Sequence, residues 1–155
     1  MKKTHLMALL ALGLVLALAG AATAATSGNA PVSFSVISSM EITANSVNLG
    51  SLAPGTHDLG NKNPVTVSAN RNWAVTAQAG GDFTDSATTP PTTLAISNLK
   101  MNNNTMSSTV AVNIASGSAG QNQTPNVPAS INIPWDANLG GKTLSATITY
   151  TVIPQ

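Results

Sequence analysis

Cysteine is absent from this 155-residue chain, which excludes a disulfide framework, a thiolate metal site and a lipid-modified cysteine anchor. Charge is scarce: Asp, Glu, Lys and Arg make up 7% of residues. Aromatics are scarcer still at 3%. Without a basic patch, phosphate neutralisation and hence nucleic-acid binding are excluded as a main role. Histidine occurs twice, as His5 and His57. That leaves no ligand set for a transition metal and little material for acid–base catalysis. No catalytic residue, cofactor or metal is expected.

What is present begins with an export pattern. Met1, Lys2, Lys3, Thr4 and His5 form a basic start, and Leu6 to Ala19 are almost all Leu, Ala, Val, Met and Gly. Ala22, Thr23 and Ala24 then supply a small-x-small exit, which predicts a signal peptide over residues 1–24 with cleavage before Ala25. The apolar run is shorter than the roughly 20 residues a bilayer span takes. Removal of Lys2 and Lys3 leaves Lys62, Arg71, Lys100 and Lys142 against Glu41, Asp58, Asp82, Asp85 and Asp136, a net charge of −1. No transmembrane segment is expected in the mature chain, so the product is expected outside the cell and associated with its surface.

Residues 25–31 read as a flexible linker. Beyond them the hydrophobic period is two, the signature of half-buried strands. Val32, Phe34 and Val36 alternate with Ser33 and Ser35. This segment reads as the first strand of the chain's own sheet, or, following a linker, as a donor that completes a neighbour's sheet. Met40 and Ile42 continue the pattern, and Val47, Leu49 and Leu52 form the next apolar set. Ala53-Pro54-Gly55-Thr56 fits a type II turn, since Pro presets its φ and Gly accepts a positive one.

Val65, Val67 and Ala69, the turn Asn70-Arg71-Asn72, and Trp73, Val75, Ala77 and Ala79 predict a hairpin. Asp82 to Thr93 reads as loop. Leu94 and Ile96, with Leu99 and Met101 across a bulge, then Val110, Val112 and Ile114, predict further strands. Residues 115–129 read as a long loop, and Ile131, Ile133 and Trp135 alternate again. The longest alternation is Leu144, Ala146, Ile148, Tyr150 and Val152, opposed by a Ser/Thr face. The sum is about eight strands without a helix. The expected fold is all-β, a single antiparallel β-sandwich over residues 32–155.

Candidate chemistry is thin. His57-Asp58 reads as an exposed turn, and Asp82 and Asp85 as turn formers more than as a calcium site. Trp73 and Trp135 could stack on sugars, but each is in phase with aliphatic neighbours, which predicts packing. Asn103-Asn104-Thr105 and Asn122-Gln123-Thr124 match the glycosylation acceptor pattern and fall in expected loops.

Two segments carry a family resemblance. VTVSANRNWAVTAQAGGDF (Val65 to Phe83) resembles the first motif of bacterial WxL-type surface domains, and LSATITYTVIP (Leu144 to Pro154) resembles the second. The motif positions are Trp73, Val75, Tyr150 and Val152, with Val75 where the family has Leu and Tyr150 where it usually has Trp. VNLGSLAPG (Val47 to Gly55) is similar to a stretch of exported spore-coat and pilin-like β-sandwich proteins. The resemblance implies a secreted, non-enzymatic protein held non-covalently at the cell surface, with cell-wall polymer or other surface proteins as partners. The alternative is a structural subunit of a pilus, coat or biofilm-matrix fibre, self-associating by strand addition through Val32, Phe34 and Val36.

Overall fold

The computed structural model describes residues 31–155. The expected signal peptide and all of the linker but Pro31 lie outside the described residues. The chain divides into two units, one described over residues 31–35 and the other spanning Val36–Gln155. Residues 31–35 carry no strand.

The larger unit is all-β, as expected, with twelve strands among the described residues. They are β1 (Met40–Ala44), β2 (Gly55–Lys62), β3 (Val65–Ala69), β4 (Trp73–Ala79), β5 (Phe83–Asp85), β6 (Thr92–Leu94), β7 (Leu99–Met101), β8 (Asn104–Thr105), β9 (Val112–Gly117), β10 (Gly120–Gln123), β11 (Val127–Ile133) and β12 (Ile148–Pro154). A single turn of 3-10 helix covers Ile96–Asn98. Three antiparallel sheets have the orders β1-β3-β10, β2-β11-β7-β8 and β12-β4-β9, and β5 and β6 form a separate hairpin. No sheet closes into a barrel among the described residues.

Alternation explains the core. Val65, Val67, Trp73, Val75 and Ala77 point inward with Leu99, Met101, Met106, Ile114, Val127 and Ile131, all buried. Each fully buried Val, Leu or Ile of this kind contributes about 1.5–3 kcal/mol relative to exposure. In β3 and β4 the intervening Thr66, Ser68, Thr76 and Gln78 are half-buried too, because each strand is flanked on both edges.

Strands β3 and β4 do not form the expected hairpin. They belong to different sheets: β3 pairs with β1 and β10, β4 with β12 and β9. Residues 70–72 instead carry the chain around a corner. Two alternating strands joined by a short polar link have the same pattern in a hairpin and in a corner, since in both the apolar faces turn to one core. Strands β9 and β10 make the same turn alongside. Trp73 faces Gly117 and Ala69 faces Gly120, so three residues on one side of the corner oppose two on the other. An extra residue of this sort bends a ladder and lets strands pass between sheets.

Other departures follow from polar strands. Gly55 takes the positive φ expected of it, 127°, yet it opens β2. Strand β2 is GTHDLGNK, whose single aliphatic residue gives no alternation to read. Strand β10 is similarly polar and lies inside the expected 115–129 loop, as do the first residues of β11. Strands β5 and β6 occupy the expected Asp82–Thr93 loop, pairing Phe83 with Leu94. Residues 144–147 are not part of β12, although Leu144 and Ala146 pack on the core and Ser145 bridges to Thr84. Trp135 is 83% exposed. Pro134 has no N–H to continue the ladder, so β11 stops at Ile133 and the alternation ends before Trp135.

Candidate assembly edge

The four motif positions come together in one place. Val152 lies opposite Val75, Tyr150 opposite Ala77, and Pro154 opposite Trp73, in an unbroken antiparallel register of seven pairs. Trp73 and Val75 are buried, and Tyr150 and Val152 half-buried. These side chains hold β12 onto the core. Burial raises the Tyr150 phenol above its ordinary value of 10.0.

Trp73 anchors the opposite edge of β4. Its indole Nε1 donates to the carbonyl of Ser118 at 2.9 Å. The ring lies over Gly117, where an added Cβ would fall 2.7 Å from Cε2 and 3.0 Å from Cη2. A glycine opposite an aromatic is what permits this close approach across the pair.

The other edge of the corner has a different construction. On β3, Met40 of β1 faces Ala69, and the Asn70 N–H donates to the Ser39 carbonyl at 3.2 Å. On β4, Pro154 faces Trp73, and the Gln155 N–H donates to the Asn72 carbonyl at 3.0 Å. Strand β12 therefore runs head-on into the start of β1, the two lying end to end along the β3–β4 corner. Asn70 pins the junction: its Oδ1 accepts from Ser39 N–H at 2.9 Å and its Nδ2 donates to the Ile37 carbonyl at 2.7 Å. Arg71 adds a bond from its guanidinium to the Gln155 carbonyl at 3.3 Å.

Upstream of this junction no strand forms. Val32 is 92% exposed, Phe34 87%, Val36 74% and Ile37 81%. The expectation of a half-buried first strand is corrected: residues 31–39 pair with no sheet among the described residues. The register explains it for Ile37 and Val36. Continued past Ser39, the β1 row would set Ile37 against Asn72 and Val36 against Trp73, positions already taken by Gln155 and Pro154.

The scattered ionisable groups do structural work. His57 is half-buried in β2, not in an exposed turn as expected, and its Nε2 lies 2.7 Å from the Ala53 carbonyl, to which it donates. The Asp82 Oδ1 accepts from Ile96 N–H at 2.8 Å, and the Asp85 Oδ1 from Ala87 N–H at 2.9 Å. Asp85 thus ties a local turn, and Asp82 ties the segment before β5 to the one after β6. A shallow cleft between Gly80–Asp82 and Ser145–Thr147 has Asp82 as its sole ionisable group. Asn103 and Asn122 are exposed with left-handed φ of 62° and 51°. Among the described residues no helix is long and apolar enough to cross a membrane.

Comparison with protein families, curated proteins and solved structures finds no match to this chain.

Proposed function

We propose that the chain is an exported, non-enzymatic surface protein that associates with copies of itself through residues 32–37, as a structural subunit of a fibre, coat or matrix. The observation that carries this reading is the exposure of Val32, Phe34, Val36 and Ile37. Leaving apolar area in water costs about 25 cal/mol per Å², and pairing with another copy recovers it. An alternating apolar segment outside any sheet has the form used in strand addition, where main-chain hydrogen bonds give affinity and alternate side chains give specificity. The leader pattern at residues 1–24 supports export. Deletion of residues 25–37 should convert an assembling protein into a monomer in analytical ultracentrifugation. An intact exported chain that stays monomeric at high concentration counts decisively against the proposal.

Attachment to cell-wall polymer, which the WxL resemblance implies, is the second reading. Trp73 and Val75 are buried and could not touch the polymer, so the exposed Trp135 is the aromatic that favours this reading. Retention on purified wall material separates the two.

A further inference from the structure

We infer that the acceptor for residues 32–37 is the open edge of β12 on a second copy of the chain. This rests on the self-association proposed above and names the surface that serves it. Among the described residues, strand β12 pairs on one side only, with β4. Its inward face, Ile148, Tyr150 and Val152, stays half-buried, and Ile153 is 40% exposed. These residues need a further neighbour to be covered.

The other open edges fit less well. Strand β1 carries Glu41 and only two inward apolar side chains, Met40 and Ile42. Strand β2 carries Asp58 and Lys62, and its glycines at 55 and 60 have positive φ. Strand β10 is GQNQ, and β8 is two residues long. The outer side of β9 is approached by β8, where the Asn104 Nδ2 donates to the Asn113 carbonyl at 2.7 Å.

Strand β12 differs from β1 and β2 in charge, and from β8 and β10 in length. No charged residue occurs from Thr143 to Gln155, or from Pro31 to Ser39. Charges on edge strands are the usual guard against edge-to-edge pairing, and here neither partner has one. The two segments also match in pattern. Pro31 precedes six residues, Val32 to Ile37, and Pro154 follows six, Ile148 to Ile153. Every strand pair among the described residues is antiparallel. Antiparallel pairing that keeps both apolar sets on the core face sets Val32 against Val152, Phe34 against Tyr150 and Val36 against Ile148. Ser33 and Ser35 then fall beside Thr151 and Thr149 on the solvent face.

The donor segment and the acceptor edge are different surfaces of one chain. The contact is therefore heterologous, and repetition builds an open row of subunits unless two copies exchange segments and close.

The chain has no cysteine, so engineered pairs report without background. Exported chains carrying Ser33→Cys are mixed with differently tagged chains carrying Thr151→Cys and oxidised gently. A mixed disulfide dimer should be the main product, while Ser33→Cys mixed with Thr43→Cys on β1 or Thr56→Cys on β2 should give none above background. Crosslinking to Thr43→Cys or Thr56→Cys instead would overturn the β12 assignment and leave self-association through residues 32–37 standing. Absence of every crosslink in a protein that also sediments as a monomer would overturn both. Assembly that survives deletion of residues 25–37 would overturn the donor role of the segment.

Discussion

The two sides of the β3–β4 corner are built differently. On one side a single stretch of chain, β9 running into β10, turns the corner together with β3 and β4. It is sealed by Trp73, whose ring covers Gly117 and whose N–H holds Ser118. On the other side two segments far apart in sequence, β12 and β1, meet end to end, joined by Asn70 and by the Asn72–Gln155 bond. In the first row Ile114 and Ala115 are buried and Val112, Gly117, Gly120 and Gln123 half-buried, while the inward side chains of the second row are half-buried throughout. A row made by one covalent run passes the corner without a chain end. A row assembled from two ends has no place at the corner for Val36 and Ile37, whose positions Pro154 and Gln155 take.

The contrast can be broken most severely at Trp73. Trp73→Ala should cost about 3–5 kcal/mol by emptying the closed side of the corner, seen as a large fall in the denaturant midpoint. An unchanged midpoint would remove Trp73 from the core.

Gly117→Ala should cost less, about 1–3 kcal/mol, because the new methyl meets the indole ring and the pair must part. Combining it with Trp73→Ala should cost less than the two single losses together, as expected for residues in contact. Strict additivity would show that the ring and the glycine act independently.

The open side carries a group whose ionisation is linked to folding. Folding raises the Tyr150 phenol above 10.0, so the unfolded chain loses that proton first as pH rises. The stabilisation from the neutral phenol is whole below pH 10 and is lost as pH climbs through the raised folded value. Tyr150→Phe should leave stability near neutral pH almost unchanged and remove this alkaline loss. Parallel alkaline unfolding curves for the two proteins would show that Tyr150 is not the group responsible.

These differences also show what can be read in the sequence. The all-β class and the core were legible wherever alternation was apolar: Val65, Val67, Trp73, Val75 and Ala77 are buried as their period predicts. Partner choice was not, because period two names the inward face of a strand and not its neighbours. That is why β3 and β4 read as a hairpin. Strands made of polar residues, such as β2 and β10, were illegible for want of any apolar stripe. Trp135 misled through its phase with Ile133, when Pro134 between them had already ended the strand. Val32, Phe34 and Val36 read as a strand by their alternation, yet they form none. Their lack of a partner was not legible, since it depends on Gln155 and Pro154 occupying the row that β1 would otherwise continue.

That shared row has a consequence in time. Strand β4 is bound on its outer edge by a segment some 75 residues later, as the Thr76–Thr151 contact measures. At synthesis rates of about 5–20 residues per second, β4 waits roughly 4–15 s for β12. Throughout that interval the same chain already offers residues 36 and 37, in register for the edge that stands empty. Once β12 pairs with β4, that edge is filled, and Val36 and Ile37 have no place in the row.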